Sequence, residues 1–224
     1  LSEIEKQGIW LFDSTKTVMM AFNRRFWEPV CKMRTELLAN RKVVPILAKL
    51  ALETNVKEWD AYSGDSNPLE DLGPHQFDLL RYLFNCEIVA VNAHWITRSK
   101  IKVEVELEDG IIAECVAVHG SKYRESVSIQ HGHNQYQVCA DSERISPGKG
   151  VLRWILDYYD RLRRLRQNDL TPMSLSYDRQ LTHFINCIRG GMEPNPGISS
   201  GIAAVQAIEA ARKSIVLNGR KVLI

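Results

Sequence analysis

Asp71 and His75 stand four positions apart in the stretch Leu69-Glu70-Asp71-Leu72-Gly73-Pro74-His75-Gln76-Phe77-Asp78. On a helix, that spacing puts both side chains on one face. A carboxylate beside an imidazole raises the basicity of the ring and fixes its tautomer, which suits a general acid/base. The plainer reading of the same spacing is a surface pair, or Asp71 as a helix cap. Gly73-Pro74 fits a helix that begins near Pro74, since proline is tolerated in a first turn. His75 and Asp78 would then lie near the N-terminus of that helix.

Other groups point to chemistry less directly. His131-Gly132-His133 has a strand-like metal spacing, but no third ligand is evident nearby, and a polar hairpin turn accounts for it. The five cysteines, Cys31, Cys86, Cys115, Cys139 and Cys187, are scattered and form no CxxC pair, which argues against a zinc site or redox motif. Free thiols of that kind suit a reducing, cytoplasmic compartment. Arg161, Arg163, Arg164 and Arg166 make a basic stretch preceded by Asp157 and Asp160, which reads as a solvated helix face. Trp59, Tyr62 and Trp95 could stack on a sugar ring, although core packing is the commoner use. There is no nucleophile elbow, no P-loop and no G-x-G-x-x-G after a strand.

The elements that must position these residues follow from periodicity. Ile101, Val103, Val105 and Leu107 alternate with Lys102, Glu104, Glu106 and Glu108, a strand with one buried and one wet face. Asp109-Gly110 supplies the positive φ of a hairpin turn, and 111–118 runs back. Strands are also expected at 43–52, where Pro45 suggests an edge or bulge, at 87–96, and as a hairpin over 125–129 and 135–140. Helices are expected over 27–38, 69–84, 149–166, 175–189 and 202–217, with a short last strand at 222–224. The run 17–22 (TVMMAF) is apolar without alternation, as in a strand buried on both faces of a parallel sheet, and 1–7 reads as the end of a helix.

Strands grouped between helices indicate an α+β fold: a mainly antiparallel open sheet with helices on one face. Before it stands what reads as the last helix–strand unit of a Rossmann-type α/β domain. The expected division is 1–24 for that remnant, 25–41 for a connecting helix, and 42–224 for a substrate-binding and oligomerisation domain. The chain has 224 residues, 45% hydrophobic and 25% charged, with a net charge of +2. That balance gives no strong field for nucleic acid or a membrane surface. No apolar run approaches a bilayer span of roughly 18 residues.

The run Asp71-Leu72-Gly73-Pro74-His75-Gln76-Phe77-Asp78-Leu79-Leu80-Arg81-Tyr82-Leu83 resembles the second-domain signature of the Gfo/Idh/MocA (glucose–fructose oxidoreductase/inositol dehydrogenase) family. Ala21-Phe22-Asn23-Arg24-Arg25-Phe26 is similar to the family segment that joins the nucleotide domain to the second domain. The stretch 184–222, with Gly190-Gly191, Gly201, Ser214 and Gly219-Arg220-Lys221-Val222, resembles its closing helix. The three blocks occur in family order over most of the chain. By that resemblance Asp71 and His75 are the catalytic, substrate-side pair, Arg25 (with Arg24 as its competitor) binds substrate at the domain junction, and Asp78 anchors the helix. The implied activity is hydride transfer at a CH–OH group of a sugar, inositol or related polyol, with NAD or NADP as cofactor.

Two departures from the family stand out. Glu5-Lys6-Gln7 resembles the family E-K-P, which carries the catalytic lysine, but it lacks the proline and lies 17 residues before Asn23. The favoured alternative makes it the end of a later helix, with Lys6 an ordinary surface lysine. A family aspartate before the glycine of the last helix is replaced by Ser200. Without the dinucleotide fingerprint, this chain alone is expected to be inactive, and a non-catalytic ligand-binding or assembly domain is the alternative reading. The family association implies a homo-oligomer, a dimer through the open sheet. Residues 1–24 are expected to be held by contacts outside 42–224 or to be weakly ordered.

Overall fold

The structure, a computed structural model, describes residues 17–40, 46–56, 66–141 and 172–224. Expectations for 1–16, for Pro45, for Trp59 and Tyr62, and for the basic helix over 149–166 lie outside the described residues.

A 3-10 turn at Asn23–Phe26 leads into helix α1 (Glu28–Ala39). Strand β1 (Ile46–Thr54) and helix α2 (Pro68–Phe84) precede β2 (Ile88–Thr97), β3 (Lys100–Leu107), β4 (Ile112–His119), β5 (Arg124–His131) and β6 (Asn134–Asp141). Helices α3 (Pro172–Gly190) and α4 (Ile198–Val216) and the short β7 (Val222–Leu223) close the chain. The strands form one seven-stranded sheet in the order β6-β5-β1-β4-β3-β2-β7. Among the described strands β1 and β4 pair in parallel, and every other pairing is antiparallel.

The alternation in β3 builds the sheet's inner face: Ile101, Val103, Val105 and Leu107 are buried. Helices α2 and α4 cover that face with Phe77, Leu80 and Leu83 and with Ala207, Ala210 and Ala211. The small residues let the two helices approach closely. A Cβ on Gly73 would stand 2.8 Å from Ile208 Cδ1. On the outer face Lys102 bridges Glu104 at 3.2 Å and Glu114 at 2.7 Å. The expected α+β architecture, an open and mostly antiparallel sheet with helices on one face, is what forms.

Three local expectations are corrected. Residues 17–22 are not a strand. The Met20 N–H donates to Pro196 O at 2.9 Å and Gln180 Nε2 donates to Met20 O at 3.1 Å, so the backbone is satisfied by the α3–α4 region rather than by a sheet. The described part of the N-terminal segment is therefore held by contacts within 42–224. Strand β1 is not at an edge: it lies between β5 and β4, with Leu50 and Leu52 buried. Helix α2 starts at Pro68 rather than near Pro74, because the Asn67 side chain caps it, accepting from Leu69 N at 3.1 Å and Glu70 N at 3.2 Å. His75 and Asp78 thus sit in the helix interior, and Asp71 is not the cap. The Asp109-Gly110 turn keeps its positive φ (63° and 73°) within a 3-10 turn over Glu108–Gly110. Among the described residues no helix is long and apolar enough to cross a membrane.

Candidate functional site

Helix α2 presents one face to the core and another to the carboxyl ends of the parallel pair. Gln76 fixes that placement. Its buried amide donates to Val116 O at 2.9 Å and to Leu50 O at 3.3 Å, reaching both β1 and β4. Pro74 interrupts the helix ladder, because it has no N–H to give to the Glu70 carbonyl one turn earlier. Asp71 and His75 flank this interruption.

The Asp71 carboxylate faces the sheet. Its Oδ2 lies 2.9 Å from Nε2 of His119, the last residue of β4. The two atoms lie within ion-pair distance, but the approach lacks hydrogen-bond alignment, and neither buried atom has another partner among the described residues. His75 lies against the N-terminal segment, with the Phe22 ring edge-on to it at 5.9 Å and 83°. Its Nδ1 is buried and has no hydrogen-bond partner among the described residues. Burial, reinforced by the positive charge of Arg24, pushes the His75 imidazole down to about 3. At neutral pH the ring is therefore uncharged and a weak base: the Asp71 carboxylate turns to His119 and does not raise its basicity as the four-residue spacing suggested.

Successive residues of a 3-10 turn point about a third of a turn apart, and Arg24 and Arg25 use this to reach different elements. Buried Arg24 pairs through Nε with Glu125 of β5 at 3.2 Å and donates through Nη1 to Asn23 Oδ1 at 3.0 Å. The Tyr123 hydroxyl donates to the same carboxylate. Arg25 forms a two-pronged pair with Asp78, with Nη2 to Oδ1 at 2.6 Å and Nε to Oδ2 at 2.9 Å. It also donates to Asn195 Oδ1 at 2.8 Å and Ser200 Oγ at 3.1 Å. Burial pushes the Asp78 carboxyl up, and the Arg25 guanidinium opposes it.

Of the residues singled out in the sequence, Asp71, His75 and Asp78 share α2. Arg25 is engaged by Asp78, Asn195 and Ser200. His131 is buried at the end of β5 and His133 exposed in the turn beyond it, so the two do not converge. Among the described residues no three His, Cys, Asp or Glu side chains gather as metal ligands. Sequence reading missed His119 and Glu125. Glu125 was findable: it occupies the inward register of Val127 and Ile129, where a charge needs a buried partner. Nothing local marks His119. No described helix follows a strand through a glycine-rich turn, so these residues offer no cradle for a dinucleotide pyrophosphate.

No protein-family model matches the chain. It is similar to the inositol 2-dehydrogenase of Acidothermus cellulolyticus, at 24% identity over 204 residues that make up 88% of this chain and 58% of that protein. It also superposes on the myo-inositol dehydrogenase of Lactobacillus casei in complex with NAD(H) and myo-inositol. That match has a TM-score of 0.68 at 16% identity, over 93% of this chain and 62% of that one. A myo-inositol dehydrogenase from Corynebacterium glutamicum gives 0.66 at 19% identity, over 92% of this chain and 64% of that one. The chain thus spans less than two thirds of the length of these relatives. Both kinds of comparison bear out the resemblance read from the sequence: this chain has the fold of the C-terminal part of the Gfo/Idh/MocA oxidoreductases.

Proposed function

We propose that this chain is the substrate-binding part of an NAD(P)-dependent dehydrogenase acting on an inositol, a sugar or a related polyol. The observation that carries the reading is His75: an uncharged imidazole with a buried, unpartnered Nδ1, one helical turn from the Asp71 carboxylate. In this role His75 is the proton-transfer residue at the reacting hydroxyl, which requires bound substrate to raise its basicity from the low value in the free chain, and Asp71 binds an adjacent hydroxyl or holds the substrate in line. Arg25 shapes the edge of the site through Asp78, Asn195 and Ser200. The nicotinamide supplies the hydride chemistry. The described residues do not fit a dinucleotide, so the cofactor is assigned to a nucleotide domain preceding 25–41, with 42–224 as the substrate domain.

The test is titration of the full-length protein with NADH and NADPH, followed by a panel of inositols and sugars. Saturable quenching and polyol oxidation are expected, with His75→Gln lowering kcat by about 10²–10⁴-fold while cofactor binding persists. Absence of saturable cofactor binding would sink the dehydrogenase reading.

A cytoplasmic homo-dimer formed through the open sheet completes the proposal. Its support is the outer face, where Leu47 and Ile112 are cross-strand neighbours and both exposed. Sedimentation of the full-length protein at micromolar concentration should show the dimer, and a monomer alone would count against it.

A further inference from the structure

We infer that His119 is a positioning residue of the candidate site: it holds the Asp71 carboxylate in place at the carboxyl ends of β1 and β4. The inference rests on the reading of Asp71 and His75 as the substrate-side pair, and it adds a residue from a different element to that pair.

Three observations carry it. First, the contact is enclosed. The His119 and Asp71 side chains are 10% and 19% exposed, and the 2.9 Å between Nε2 and Oδ2 is the one polar approach either atom has among the described residues. A carboxylate oxygen removed from water needs a donor, and the imidazole is the group placed to be one. Second, the imidazole is mounted on a fixed base. His119 pairs in register with Thr54, and its N–H donates to Ser99 O at 2.9 Å. The next residue, Gly120, donates to Thr54 O at 2.9 Å and packs so closely on Glu53 that a Cβ there would fall 1.9 Å from Oε1. The strand end therefore cannot shift without breaking these contacts.

Third, Asp71 needs an external tether. It lies in the part of α2 where Pro74 removes a ladder hydrogen bond, so the local backbone is held less firmly than the rest of the helix. Its neighbour Glu70 does not compete for His119, because Glu70 is taken by Arg212 of α4 at 2.5 Å. Asp78, one face further along the helix, is taken by Arg25. His119 thus stands to Asp71 as Arg25 stands to Asp78, with one difference. The imidazole leaves the carboxylate's other oxygen uncommitted, whereas the two-pronged guanidinium engages both oxygens of Asp78.

The experiment uses the full-length protein and two substitutions at one position. His119→Phe keeps a ring and removes the donor, and His119→Gln keeps a donor at the reach of Nε2. Loss of one aligned contact to a charged group should raise KM for the polyol by about tenfold in His119→Phe, with NADH affinity unchanged. His119→Gln should recover most of that loss. Equal loss in both variants, or none in either, would overturn the positioning role. A second readout does not depend on turnover. In ¹⁵N spectra of the histidine rings, Asp71→Asn should shift the His119 nitrogens and leave those of exposed His94 and His133 in place. No shift at His119 would overturn the inference directly. A shift at His119 in a protein that turns over no polyol would sink the dehydrogenase reading, and the positioning role with it, leaving only a structural ion pair.

Discussion

The two halves of α2 treat similar residues in opposite ways. In the C-terminal half, Asp78 is 1% exposed and saturated by Arg25, and Arg81 is paired with Glu87 through Nε and Nη2, only its Nη1 lacking a partner among the described residues. In the N-terminal half, among the described residues, the buried Asp71 oxygen has a single unaligned imidazole neighbour and His75 keeps a buried nitrogen with no partner. Buried polar atoms are normally satisfied, so an unsatisfied carboxylate oxygen one helical turn from an unsatisfied imidazole nitrogen calls for an explanation. In the proposed function this difference separates holding from handling. The saturated pair ties the 3-10 turn, α2 and α4 together, and the unsaturated residues are free to bind something else.

The largest expected effect tests the holding half. Asp78→Ala leaves the Arg25 guanidinium, itself only 10% exposed, with two neutral oxygens in place of a carboxylate. Breaking a buried pair in this way should cost about 3–5 kcal/mol in chemical denaturation. A loss below about 1 kcal/mol would mean that the pair is not an anchor, and the contrast between the halves would fail.

The next prediction concerns the handling half. The folded-state titration of His75 is lowered to about 3 from an ordinary 6.5, first by burial and then by Arg24. The unfolded chain therefore takes up a proton as pH falls below the ordinary value, while the folded ring does not until much lower pH. The stability contributed is complete above about 6.5 and is lost as pH falls towards 3. His75→Gln should flatten that part of the stability–pH curve. Arg24→Met should move the His75 titration upward, as followed by NMR. An unchanged titration would show that the Arg24 charge does not reach the ring.

The smallest effect sharpens the comparison at the helix start. Asn67 carries the cap through Oδ1, so Asn67→Ala should cost about 1 kcal/mol. Because the cap also sets where Asp71 falls on the helix, the same variant should raise KM for substrate more than Arg81→Ala does. Equal effects on KM would argue that the N-terminal half is not the substrate side.

Much of this was legible along the chain. The i, i+2 alternation of Ile101 to Leu107 announces a strand with one wet face, and the spacing of Leu69, Leu72, Phe77, Leu80 and Leu83 announces a helix with a buried face. The likeness around Asp71 and His75 falls on the helix that carries the proposed site. What failed was the reading that needed distant partners. An apolar run without alternation looks like a doubly buried strand, yet 17–22 finds its hydrogen bonds at Pro196 and Gln180, more than 150 positions away. Pro45 pointed to an edge or a bulge, yet β1 lies inside the sheet between β5 and β4, because its parallel neighbour β4 arrives only after α2, β2 and β3.

The division of labour among the charges shows where the sequence by itself stops. Residue types and local spacing determined the elements and put Asp71, His75 and Asp78 on one helix, because helix and strand periods are properties of a few consecutive residues. Only the tertiary structure decided that Asp78 would be closed off by Arg25, that Arg24 would turn to Glu125, and that Asp71 would meet His119 at the end of a parallel strand. A pairing energy depends on distance and on how much water is excluded. Both are set by which remote elements pack together, and no spacing along the chain encodes them.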